Sequence, residues 1–174
     1  ADTARLFMLS DSPPDRDLEW TDAGIDGAWR FINRLWRMVV DPAETVARKG
    51  APIPVSPADD AVERKARGVF REMHRTIARV GDDLEKFGFN RAVARIREFT
   101  NTLADLPGAD PGAAWARRRG LETLVKLVGP MMPHLAEELW QRLGHETLLV
   151  DVPWPEADPA MLVDDTVTVG VQVN

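Results

Sequence analysis

Residues 62–87 read VERKARGVFREMHRTIARVGDDLEKF, and this stretch decides the fold class. Val62, Ala66, Val69, Phe70, Met73, Ile77, Val80, Leu84 and Phe87 recur at steps of three and four, which puts them on one face of an α-helix. Ser56-Pro57 upstream is a good cap followed by a first helical position, because proline has no amide hydrogen to leave unsatisfied there. Gly88 is the expected stop. The spacing thus predicts a helix over 57–86, long enough to form the spine of a bundle.

The same period recurs on either side. Ile25, Trp29, Ile32, Leu35, Trp36 and Val39 predict a helix over Asp22–Val40, capped by Thr21 or Asp22 and followed by Pro42. Val93, Ile96, Phe99, Leu103 and Leu106 predict another over Asn90–Leu106, closed by Pro107-Gly108. A fourth pattern covers Pro111–Leu143, but Gly129-Pro130 and Pro133 interrupt it. Proline removes a backbone donor and clashes with the preceding turn, so a kink or two helices are expected there. Gly144 reads as the C-terminal cap residue. The expectation is an all-α antiparallel bundle of four to five helices.

The ends differ from the middle. ADTARLFMLS runs into a Pro13-Pro14 loop and looks like the end of an element that begins elsewhere. VDVPWPEADP is a Trp-Pro loop, and beyond it Val167, Val169, Val171 and Val173 alternate with polar residues or glycine, a strand pattern. A lone strand cannot satisfy its own edge, so this short β appendage calls for partners outside the chain or in the opening segment. The expected division is 1–20 as a connection, 21–145 as the bundle, and 146–174 as a loop and strand leading to a further domain.

The chain has no cysteine, which excludes disulfides and thiolate chemistry and fits a reducing compartment. No apolar run reaches the ~20 residues a bilayer span needs, so a soluble, cytoplasmic protein is expected. The formal charge is −6. Its distribution is more informative: residues 1–27 carry seven acids and two arginines, residues 144–174 six acids and no base, and residues 28–143 twenty bases against fifteen acids. The bundle itself is therefore basic.

Motifs for catalysis are missing: there is no glycine-rich phosphate loop and no nucleophile elbow. His74, His134 and His145 are scattered. His134 with Glu137 and Glu138 shares a helical face, but carboxylate–histidine metal sites in bundles need the opposite order on two helices, so a packing histidine is the reading and no metal site is assigned. Of the six tryptophans, Trp29, Trp36 and Trp140 fall on faces expected to be buried, and Trp154, between prolines, reads as a loop plug. The arginines carry the functional signal. Arg30, Arg34 and Arg37 line one side of the 22–40 helix, and Arg64, Arg67, Arg71, Arg75 and Arg79 make a similar row on the long helix, diluted by acids. Arg30, Arg34, Arg37, Arg71 and Arg75 are the candidate RNA-binding residues; the alternative is a solvated face.

These segments resemble a family. LFMLSDSPPDRDLEWTDAGIDGAWRFINRLWRMV (6–39) resembles the entry into the helical bundle of leucyl-tRNA synthetases, with DLEW marking the leucyl branch. PMMPHLAEELWQRLG (130–144) resembles a signature that the leucyl, isoleucyl, valyl and methionyl enzymes share. VPWPEADPAMLVDDTVTVGVQVN (152–174) again resembles the leucyl pattern. The resemblance implies an anticodon-binding domain that docks tRNA(Leu) by backbone contacts, in a parent enzyme that ligates leucine to tRNA with ATP and magnesium. The family's ATP-site signatures and its editing domain are not in this stretch, so the resemblance implies no catalytic residue and no cofactor on it. Its other implied partners are the catalytic and C-terminal domains of the same parent chain, with no DNA and no membrane. A valyl or isoleucyl bundle, a helical protein–protein scaffold and a metal-carboxylate bundle are the competing readings.

Overall fold

A computed structural model describes residues 1–54 and 61–163. Its regular elements are six α-helices: α1 (Asp2–Ser10), α2 (Asp22–Val40), α3 (Ala61–Glu85), α4 (Phe89–Ala104), α5 (Pro111–Val128) and α6 (Pro133–Arg142). Two short 3-10 turns follow at Leu149–Asp151 and Pro159–Met161. The all-α expectation holds, with six helices among the described residues where four to five were expected. The expected strand over Val167–Val173 and the Ser56-Pro57 cap lie outside the described residues. No helix among the described residues is long and apolar enough to cross a membrane.

The helix boundaries follow local chemistry. Thr21 caps α2, its side-chain oxygen accepting from the Gly24 amide at 3.2 Å. Asp110 caps α5, accepting from the amides of Gly112 and Ala113 at 2.9 and 3.0 Å, with Pro111 at the first helical position. The interrupted 111–143 pattern resolves into two helices, because the turn at 129–132 separates α5 from α6. At the end of α6, Gly144 takes φ +85°, and the amides of Gly144 and His145 return to the carbonyls of Gln141 and Trp140. That pairing closes the helix with a left-handed residue, as expected for a glycine in this position. α3 ends at Glu85, within one residue of the expected bound, and the Gly88 amide closes it on the Asp83 carbonyl at 2.7 Å. The left-handed residue is Phe87 (φ 55°), while Gly88 has φ −82° and stands at the N-terminal cap of α4.

The core lies between the helices, where Leu6, Ile96, Phe99, Leu103, Leu124 and Leu139 are among the fully buried side chains. α3 packs on α5 and α4, and α2 packs on α1 and α6. The opening segment is an element of this core: α1 buries Leu6 and Phe7, and a Cβ on Gly24 would fall 2.4 Å from the Phe7 ring. Of the two alternatives for the strand's partner, the opening segment is excluded, since its residues 2–10 are helical. Trp29 is also corrected. It is 54% exposed, because the buried arc of α2 consists of Ala28, Phe31, Ile32 and Leu35, and Trp29 stands just outside it.

Candidate nucleic-acid interface

The exposed side of α2 presents Arg30, Arg34 and Arg37, all three open to solvent. Four residues advance a helix by about 6 Å and return to nearly the same face, so Arg30 and Arg34 project together. Phe31 and Leu35 hold the helix from beneath. Arg34 is oriented by a 2.5 Å hydrogen bond from its Nη1 to the Asn101 side-chain oxygen on α4. That partner is neutral and leaves the charge uncompensated. Among the described residues no carboxylate is ion-paired with any of the three. Exposed Trp29 stands beside this row. The arrangement can grip an anionic polymer by its backbone, since a guanidinium fork matches phosphate oxygens in pairs.

The other expected rows are less open. Arg71 and Arg75 are half-buried on α3; Arg75 lies 3.9 Å from Glu72, and both arginines carry further interactions. α3 packs on α5 and α4, whereas α2 packs on α1 and α6. Arg91 and Arg95, a shorter pair on α4, both donate to buried Asp83 at the end of α3, although Arg91 stays 57% exposed.

Three buried charged side chains, Arg117, Arg118 and Glu122, belong to no motif that marks them in the sequence. Arg117 donates to the carbonyls of Leu106 at 2.8 Å, Gly108 at 3.2 Å and Thr45, tying two loops to α5. Arg118 donates from Nε to Glu122 at 2.8 Å and from Nη2 to the Leu143 carbonyl at 2.5 Å, which satisfies an otherwise orphaned carbonyl at the end of α6. Glu122 also accepts from Arg119 at 3.2 Å and from His145 Nε2 at 3.0 Å. The only sequence signal was the four-residue step from Arg118 to Glu122, which on an exposed face means little. His145 stacks on Trp140 with ring centroids 3.5 Å apart. His134 and Glu137 hold helix and loop ends together: His134 contacts Asp2 at 3.0 Å, and Glu137 accepts from the amides of Leu149 and Val150.

These buried groups make stability depend on pH. Burial holds the pKa of His145 below its ordinary value of 6.5 and outweighs the opposing pull of Glu122. His74 is lowered in the same way, by burial first and then by Arg119, against Asp158. For Glu122 burial works upward, but Arg118, His145 and Arg119 outweigh it, and the carboxyl falls below its ordinary 4.5. A depressed folded-state pKa contributes stability that is complete above the unfolded value and is lost as pH falls through the folded one. Unfolding midpoints are therefore expected to be level above about pH 7.5 and to decline through about pH 6.5, where free histidine is half charged, with a further loss below about pH 4.5. A denaturation series that stays flat from neutral pH into that acid range contradicts this.

Residues 66–173 match the family described as the anticodon-binding domain of tRNA ligase. Over its full length the chain is 62% identical to a leucine–tRNA ligase of Paramagnetospirillum magneticum, covering 19% of that protein. It is 54% identical to a leucine–tRNA ligase of Rhodospirillum rubrum, again over the whole chain and 20% of the relative. Among solved structures it resembles the Agrobacterium radiobacter K84 agnB2 LeuRS in a ternary complex with tRNA and LeuAMS. That match has a TM-score of 0.75 at 28% identity, over 93% of this chain and 20% of the other. The chain thus spans about a fifth of the length of these relatives.

Proposed function

Since the chain belongs to the anticodon-binding domain family of tRNA ligases, we propose that it docks tRNA(Leu) for a parent enzyme that joins leucine to that tRNA. The observation that carries this reading is the open row of Arg30, Arg34 and Arg37 on a bundle of this family. In the parent, ATP and magnesium bind outside this chain, in a catalytic domain reached through residues 1–20. Residues 146–174 lead toward a C-terminal domain, and the enzyme works in the cytoplasm. Leucine has several codons, so one enzyme must accept tRNAs with differing anticodons. Arginine contacts to phosphates fix position without reading bases, which suits that demand. Arg71 and Arg75 extend the contact to α3 with a smaller share, being half-buried with Glu72 beside Arg75.

The test is the double variant Arg30→Ala/Arg34→Ala in the parent ligase. Each lost phosphate contact should lower the salt slope of tRNA binding by roughly 0.7–0.9. The Michaelis constant for tRNA should rise while leucine activation is unchanged. Melting should barely move, since exposed arginines contribute little to folding. Normal charging with an unaltered salt slope means the row is an ordinary solvated face.

A further inference from the structure

Away from the α2 row, a cleft of about 570 Å³ opens between α3, α5 and the segment around 152–156. Its volume falls in the range of roughly 300–1,000 Å³ typical of sites that enclose a small group. Five basic side chains line it, Arg48 and Lys49 from the loop before α3 and three from α5, against the carboxylates of Glu122 and Glu156. Glu122 is already held by Arg118, Arg119 and His145, so it has little left to offer an incoming cation.

Lys126 on α5 is the odd group in this wall. It is half-buried, yet among the described residues no carboxylate lies within ion-pair distance of it. Its ammonium lies over the Trp140 ring, with Nζ 5.5 Å from the ring centroid. Burial and then the Arg119 charge lower its pKa, against the opposing pull of Glu122. Arg119 is seven residues earlier, two helical turns away on the same face. Opposite, the 152–158 segment crosses α3: the Asp158 amide donates to His74 at 3.1 Å, and Trp154 lies against Gly81 with 40% of its surface exposed. Cations on one wall and an open indole on the other are what single-stranded RNA binds, phosphates to the charges and a base to the ring.

We propose that this cleft takes an unpaired stretch of the bound tRNA, with its phosphates on Arg119 and Lys126 and a base against Trp154. The proposal rests on the tRNA-docking reading and assigns it a second contact site. One half-buried lysine facing a phosphate makes a charge-assisted bond stronger than an exposed one.

The test measures binding of an unmodified leucine tRNA transcript to the parent ligase over a range of salt concentrations. Lys126→Gln should weaken binding roughly tenfold, the scale of one charge-assisted hydrogen bond. Its salt slope should fall by roughly 0.7–0.9, and Lys126→Arg should restore both. Trp154→Leu should weaken binding several-fold with the slope unchanged, since stacking releases no counterion. Lys126→Met, which keeps the aliphatic stem, replaces the glutamine variant if that one melts early. Unchanged affinity and slope in the Lys126 variants, with Arg30→Ala/Arg34→Ala impaired, overturns the cleft and leaves tRNA docking standing. Loss of affinity in Lys126→Arg equal to that in Lys126→Gln also overturns it, because charge is then not what matters. Unchanged affinity and slope in the Lys126 variants and in Arg30→Ala/Arg34→Ala alike overturns both readings.

Discussion

Replacing Glu122 with alanine is expected to destabilise the bundle by about 3–5 kcal/mol, the usual cost of breaking a buried ion pair from one side. The Glu122 side chain is only 11% exposed and gathers three donors, from Arg118, Arg119 and His145. Removing it leaves the Arg118 guanidinium, itself 8% exposed, with the Leu143 carbonyl as its remaining strong acceptor and an unpaired charge in a low-dielectric site. The loss does not measure what the pair contributes over an apolar one. It measures the penalty for stranding the survivor. Glu122→Gln keeps the shape and one acceptor oxygen and should lose less. Urea denaturation of the two variants beside the native chain gives both numbers, and a loss under about 1 kcal/mol for alanine would put the pair in the class of exposed bridges.

The second large effect is expected at the other end of the sequence, at Phe7. Phenylalanine-to-alanine changes in a packed core cost about 3–5 kcal/mol, because the lost transfer energy is joined by that of the cavity left behind. Phe7 is 3% exposed and meets the Trp20 ring edge-on at 5.2 Å. On its other side the ring fills the space that glycine leaves open at position 24. Phe7→Ala empties that space, and its neighbour Leu6, with no exposed surface, fixes α1 too firmly for the helix to slide in. If residues 1–10 were only a tether, the same change would move stability by no more than about 0.5 kcal/mol. Denaturation midpoints of Phe7→Ala separate these outcomes.

Much of the candidate interface was legible before any coordinates, because a helix converts spacing into direction. Arg30, Arg34 and Arg37 had to share a side of α2 once the apolar residues of that segment were known to face the core. Whether the row was open required the tertiary structure. Arg91 and Arg95 have equally regular spacing, and they are taken up by Asp83, which approaches from another helix. Periodicity also located the buried face of α2 without fixing its width. Trp29 belongs to the pattern and stays in solvent, because α1 and α6 cover a narrower arc than the apolar residues span.

What the sequence by itself determined is local in origin: the helical class, the boundaries of α2, the break between α5 and α6, and the glycine that closes α6. Each follows from groups within a few residues of one another, through period, capping and the missing amide hydrogen of proline. The tertiary structure alone decided which polar groups meet across long separations. Arg118 and His145 converge on Glu122, Asp2 reaches His134 and the Leu135 amide, and Lys126 faces a cleft closed by the segment around Trp154. No spacing rule links residues 2 and 134, or 122 and 145. Their meeting depends on how the helices pack, and packing is set by the shape of the whole core.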